Sequence, residues 1–197
     1  MKQPYAVKLV LRILAALAGV CLLALAALYL IGGGLTKPIY LEPWDAGYAG
    51  RFDDPRVRLA AVGLLAANNH NMQPWKIKLD ETDDTAFSLY ADSGRTTPEA
   101  DPLYRQMMVS QGTFLEYIAV AAQAMGCAAD IALFPQGEYD ENELLRSMDT
   151  LPVAKITLVK TEPAGTPLYR AIFLPDTNRA AYRSEEHTSE LQSPYVI

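Results

Sequence analysis

Between Leu64 and Leu79 the chain reads LLAANNHNMQPWKIKL, which crowds Asn68, Asn69, His70, Asn71 and Gln73 into one short stretch. Amide side chains carry both hydrogen-bond donors and acceptors in a fixed plane. A row of them on one rigid support suits the edge of a planar heterocycle bearing carbonyls and ring nitrogens, such as a flavin or a nucleobase. The support is an elbow, because Pro74 fixes the backbone directly after Gln73 and Trp75 opens an alternating, strand-like run. Ordinary turn chemistry is the competing reading, since Asn favours helix ends by bonding nearby backbone. It does not account for the Gln-Pro-Trp continuation. His70 is the only histidine before residue 183, and a lone histidine at a helix end is more often structural than a ligand or an acid. No catalytic dyad or triad and no metal-ligand spacing can be read, and Cys21 and Cys127 lie too far apart in sequence to suggest either.

The elements that would hold this elbow alternate between helix and strand. Asp54 and Pro55 read as an N-cap and first helical residue, followed by RVRLAAVGLLAA with its apolar face on Val57, Ala60, Ala61, Leu64 and Leu65. WKIKL and FSLYAD alternate with period two around DETDDT and predict a hairpin. A long helix follows, with Asp101 as its cap, Pro102 as its first residue and Gly126 as its terminator; it is apolar on most faces and is expected to be the central buried helix. ADIALF predicts a strand, ENELLRSM a short helix, VAKITLVK another strand, and TPLYRAIF a last helix from Pro167 to about Phe173. The fold class expected is α+β around one long core helix.

The two ends have a different character. Residues 13–31 run without a charge, close to the roughly 20 residues that cross a bilayer. Lys2, Lys8 and Arg12 precede them, which places residues 1–12 in the cytoplasm and the domain on the outer or periplasmic side of a single-pass anchor in the cell membrane. A cleaved signal peptide is the alternative, given Ala24-Leu25-Ala26, although the run exceeds the roughly 7–15 apolar residues usual there. Residues 32–50 begin with Gly32-Gly33-Gly34 and read as an irregular linker, and residues 51–182 as the domain. The tail from Arg183, RSEEHTSELQS, resembles the translation of a sequencing-library adapter, so residues 183–197 are expected to be foreign to the natural sequence and the domain to be only part of a longer one. The net charge of −6, with no basic cluster, argues against nucleic acid as a partner.

Taken in order, the motifs resemble the nitroreductase family of FMN enzymes. AANNHNMQPWKIKL is similar to the family's A-P-S-S-x-N-x-Q-P-W followed by a strand, and His70 before Asn71 resembles the S-x-H-N-T-Q-P-W version of a divergent branch. DPLYRQMMVSQGTFLEYIAVAAQAMG resembles that branch's D-P-x-x-R-x-x-x-I-S-x-G-x-x-L helix, and TNRAAY its T-N-R-x-x-Y, so the resemblance runs from about Pro55 to Tyr182. It implies a nitroreductase-like FMN-binding fold, present in part and preceded by one transmembrane helix.

By this resemblance the cofactor-binding residues are Asn68, Asn69, His70, Asn71, Gln73 and Arg179. Asn68 and Asn69 fall where the family has two serines near the isoalloxazine ring, and Asn71 aligns with the Asn that bonds the flavin. Gln73 and Trp75 would support the turn, and Arg179 would grip the FMN phosphate bidentately. Ser110 and Gly112 match the S-x-G of the long helix, where small residues would either admit the cofactor or permit close packing, the second being the favoured reading, while Arg51, Arg56 and Arg58 do not match the spacing of the family's N-terminal phosphate motif. The divergent branch pairs two half-domains on one chain, so a missing second half-domain or a homodimer partner is expected. The implied activity carries electrons from NAD(P)H through FMN to a nitroaromatic, quinone or similar small-molecule acceptor. A non-enzymatic flavin-binding or flavin-sequestering protein is one alternative. A membrane-anchored interaction domain without cofactor is the other.

Overall fold

The structure is a computed structural model that describes residues 5–35, 39–165 and 167–174. Its first element, α1 (Tyr5–Ile31), begins before the uncharged run because Lys8 and Arg12 continue the helix rather than end it. Within it Val7–Ile31 is apolar enough to cross a membrane, and none of its most apolar window is buried against the chain. At a rise of 1.5 Å per residue these residues reach about 37 Å, beyond the ~30 Å of a bilayer core. The glycines end the helix in a defined way: Gly34 donates its N–H to Tyr29 O and Gly33 to Leu30 O, with Gly33 left-handed at φ 76°. That is the double bond pattern of a Schellman cap, and the Tyr29 hydroxyl closes it by donating to Gly34 O.

Residues 39–50, read from sequence as the end of a linker, are packed in part: residues 41–44 and Tyr48 are half-buried and Ala49 is buried, while Ile39 and Tyr40 are exposed. They form two 3₁₀ turns, Ile39–Trp44 and Tyr48–Arg51, that bury Ala49 and set Trp44, Tyr48 and Phe52 against the core. Apolar aromatic area explains the difference, since each such ring is large enough to offset the entropy of ordering a short segment.

Helix α2 (Pro55–Gly63) starts as its sequence signals require, with the Asp54 carboxylate accepting the Arg56 N–H at 2.8 Å and Pro55 in the first turn. It stops about a turn before the predicted Ala67, because the chain must bend at Leu64–Ala67 to deliver the elbow. The buried Arg56 guanidinium grips Asp54 through Nε and Nη2, and its Nη1 donates to the carbonyls of Asp80, Asp83 and Ala86. This arginine holds a loop.

That loop joins β1 (Trp75–Leu79) to β2 (Ala86–Ala91) in the expected hairpin. With β3 (Cys127–Leu133) and β4 (Ala154–Lys160) they make a wholly antiparallel sheet in the order β1-β2-β4-β3. Register places Phe87 opposite Ile156 and Ile156 opposite Ile131, which lines an apolar row across three strands. Against the sheet lies α3 (Arg105–Ala124), burying Met107, Phe114, Leu115, Ile118, Ala121 and Ala122 as the central helix. It begins at Arg105 rather than Pro102, yet Asp101 still serves it: the carboxylate reaches across a turn to accept the Met107 N–H at 3.0 Å. Gly126, at φ 78°, ends it as predicted. Two short helices, α4 (Leu144–Thr150) and α5 (Pro167–Ala171), complete an α+β fold.

Two expected outcomes follow from this packing. A Cβ on Gly63 would sit 2.6 Å from the fully buried Phe114 ring, so Gly63→Ala should destabilise by about 1–3 kcal/mol, measured as a lower denaturant midpoint with Trp75 fluorescence as reporter. In the hairpin loop, the Thr82 N–H and hydroxyl together with Lys155 hold the Asp80 carboxyl well below the usual carboxylate range, and the Thr85 hydroxyl and N–H lower Asp83. Lowered folded-state values mean that the unfolded chain binds more protons on acidification. The stabilisation is full above the unfolded value near 4 and is lost as pH falls through the folded ones, so the thermal midpoint should drop below about pH 4 and Asp80→Asn should flatten that dependence.

Candidate functional site

The elbow between α2 and β1 is backbone held out of its ordinary range. His70, Asn71 and Gln73 have φ values of 50°, 54° and 50°, in the left-handed region that non-glycine residues seldom enter. Asn tolerates it, while His and Gln pay for it and need outside support. Strain of this kind persists only where its surroundings over-determine it, and it clusters at functional sites.

Support comes chiefly from one turn of α3. The Ser110 hydroxyl accepts the Asn69 N–H at 3.0 Å, and the Ser110 carbonyl accepts the Trp75 indole N–H at 3.2 Å. Buried Gln111 donates Nε2 to the Pro74 carbonyl at 2.8 Å, and the Thr113 hydroxyl donates to Ala67 O at 2.6 Å. Trp75 also packs on Phe114 with ring centroids 5.0 Å apart. The S-x-G reading is corrected by this geometry. Ser110 is an anchor for the elbow, and a Cβ at Gly112 would meet nothing within 4 Å, so close packing does not explain that glycine. Gln111 and Thr113, unremarkable in sequence, complete the anchor.

Within the elbow the amides divide by role. Asn68 spends its side chain internally, donating to Ala66 O at 3.1 Å and accepting the Gln73 N–H at 2.8 Å. Asn69 donates to the Thr97 hydroxyl at 3.3 Å. The side chains of Asn71, Gln73 and His70 have no hydrogen-bond partner among the described residues, and all three are exposed. Two hollows adjoin the elbow. The larger, about 1110 Å³, is lined by Asn68, Asn71 and Gln73 together with Tyr40, Trp44, Leu64 and Tyr117. A smaller one of about 370 Å³ lies between Asn68, Asn69 and the outer face of α3 at Val109 and Thr113. His70 lines neither, and Arg179 lies outside the described residues.

The chemistry of the larger cleft is that of neutral hydrogen bonding. Unspent amides beside an apolar cavity fit the edge of a planar heterocycle. No lysine, arginine, histidine or carboxylate lines it among the described residues, so a phosphate would need a cation from outside them, where Arg179 belongs. Among the described residues no cluster of His, Cys, Asp or Glu could hold a metal ion.

No model of a known protein family matches the chain. It is 28% identical over 110 residues to an uncharacterised protein found in two strains of Mycobacterium tuberculosis, over 55% of this chain and 31% of the relative. The chain thus spans about a third of the length of the curated relatives it matches. Among solved structures, a candidate NADH oxidase from Clostridium acetobutylicum is similar with a TM-score of 0.43 and 14% identity, over 58% of this chain and 80% of that one. A nitroreductase-like protein from Streptococcus mutans is similar with a TM-score of 0.39 and 13% identity, over 59% and 82%.

The anchor on α3 is open to direct measurement. Ser110→Ala removes the acceptor of the part-buried Asn69 N–H and should cost about 1 kcal/mol, with faster hydrogen exchange at the Asn69 amide. Unchanged exchange there would show that Ser110 does not hold the elbow.

Proposed function

We propose that this chain carries part of a membrane-anchored, FMN-binding oxidoreductase of the nitroreductase type, passing electrons from NAD(P)H to a nitroaromatic, quinone or similar acceptor. One observation carries the reading: the motif that resembles the family's flavin-binding signature folds as a strained elbow that leaves the Asn71 and Gln73 amides unspent beside the large cleft. Strain there is what a binding function would maintain. Bound FMN would supply hydride chemistry that no side chain here offers.

The residues then have distinct tasks. The Asn71 and Gln73 amides present donors and acceptors to the edge of the ring, in a plane set by the elbow. Asn68 holds Gln73 in place through its N–H, and Asn69 is pinned between Ser110 and Thr97, so both act as positioning residues. Tyr117 and Trp44 line the cavity and would shield a ring bound there from water. Arg179 is assigned the phosphate, as a bidentate donor. In this reading α1 crosses the membrane with its N-terminus in the cytoplasm, and a second half-domain or a homodimer partner completes the site.

A second reading, flavin binding without turnover, draws on the absence of any carboxylate, histidine or lysine lining the cleft among the described residues. Among the described lining residues the only ionisable protons are the phenols of Tyr40 and Tyr117.

Titration of the full-length protein with FMN and riboflavin, followed by flavin fluorescence, tests both. Asn71→Ala should cost roughly 1–3 kcal/mol, a five- to 150-fold loss in affinity, and Arg179→Ala should weaken FMN more than riboflavin. Absence of FMN binding by the folded protein would eliminate both readings. Tight binding without bleaching by NAD(P)H would select the second.

A further inference from the structure

Three arginines lie between Tyr48 and the second turn of α2, and two of them are committed. Arg51 pairs with Glu42 at 2.6 Å and lies over the Tyr48 ring. Arg56 holds Asp54 and the hairpin loop. Arg58 differs. It is half-buried, its Nε donates to the Phe52 carbonyl, and neither of its terminal nitrogens has a partner among the described residues. No described carboxylate pairs with it, and the Asp54 carboxylate one turn earlier is taken by Arg56. A half-buried guanidinium has lost part of its hydration and gains most from an anion set against its free nitrogens. Those two nitrogens form a planar fork that matches the two oxygens of a carboxylate.

Arg58 lines a hollow of about 270 Å³ between the turn Tyr48–Arg51, the start of α2, the end of α3 and α5. Its other walls include Ala49, Gly50, Leu59, Met125 and Tyr169. Ala49 and Leu59 are buried, so their part of the wall is apolar and held by the core. Gly50 leaves its part open: a Cβ there would meet nothing within 4 Å, and its backbone is not left-handed. The volume lies just below the roughly 300–1,000 Å³ of sites for drug-sized ligands, which suits a molecule of one ring or a short chain. None of these residues lines either hollow beside the elbow, and along α3 Met125 lies about 18 Å beyond Thr113 at a rise of 1.5 Å per residue.

We infer that this hollow is a second binding site, for a small monocarboxylate whose two oxygens sit on the Arg58 Nη1 and Nη2 fork and whose apolar body lies against Ala49, Leu59 and Met125. The inference makes no use of the flavin or of the membrane anchor, and it holds or fails apart from both. One guanidinium beside apolar walls matches one negative charge on an apolar body. A phosphate monoester carries close to two charges at neutral pH and is matched less well by a single fork.

The test uses the full chain in lipid nanodiscs with methyl-labelled methionine. Of its six methionines, Met125 lines this hollow and Met72 lies on the elbow, and Met125→Leu and Met72→Leu assign their two signals. Benzoate, its neutral isostere benzamide and inorganic phosphate are titrated separately. Benzoate should shift the Met125 methyl saturably at millimolar concentrations and leave Met72 unmoved, with benzamide at least about tenfold weaker. Arg58→Gln should weaken benzoate by about tenfold or more, the loss of one charge-assisted pair, and change benzamide less than about twofold. Arg58→Lys keeps the charge without the fork and should fall between. Gly50→Leu fills the open wall and should abolish saturation by benzoate; circular dichroism checks its fold, and it keeps the test decisive if Arg58→Gln unfolds on losing the Phe52 bond. No saturable shift at Met125, equal affinity for benzoate and benzamide, or unchanged benzoate affinity in a folded Arg58→Gln or Gly50→Leu variant would overturn the inference. Tighter binding of phosphate than of benzoate would overturn it too, by giving the hollow to a phosphate-bearing ligand.

Discussion

The carbonyl oxygen of Pro74 is the point on which the arrangement turns. It accepts the Gln111 Nε2 from the middle of α3 and the backbone N–H of Asp92 from the end of β2. Helix, elbow and sheet meet there, in a place where an unmade hydrogen bond would be expensive because the proline and the glutamine are both fully buried. Proline contributes a fixed φ and no donor, so its carbonyl is the one polar group it offers to hold the chain. With that oxygen fixed, Trp75 is directed onto Phe114 and the residues before it are forced through their left-handed turn.

The cost of that turn is spread over its neighbours. Ser110, Gln111 and Thr113 occupy one turn of α3, and each bonds a different part of the segment from Ala67 to Pro74. Arg95 adds a bond to Met72 O from the far side. The segment is therefore rigid at its backbone while Asn71 and Gln73 keep their amides unspent among the described residues. Rigid backbone with uncommitted side chains is the condition for binding without a large ordering cost.

A parallel device stabilises the other end of the hairpin. Arg56 sends three bonds from one nitrogen into the loop between β1 and β2 and pairs with the residue that caps its own helix. A guanidinium suits this because its donors are fixed in one plane and its charge is not lost on burial. Cap, helix start and hairpin thus share one network.

Local signals were legible in the sequence. The Asp54-Pro55 cap, the WKIKL hairpin, the apolar length of α3 and the Gly126 stop follow from side chains within a few residues of each other, and short-range rules suffice for those. The amide-rich elbow was legible as a place, because Asn, Gln and Pro crowd it. What each amide does was not. Asn69 is held by Ser110 and Thr97, which approach from distant parts of the chain, whereas Asn68 spends its side chain on the backbone of Ala66 and Gln73, and Asn71 and Gln73 have no side-chain partner among the described residues. The start of α3 at Arg105 and the packing of Trp44, Tyr48 and Ala49 were likewise decided by contacts between segments far apart in sequence. A residue's type fixes which bonds it is able to make, and only the folded chain fixes which partners are near enough to make them.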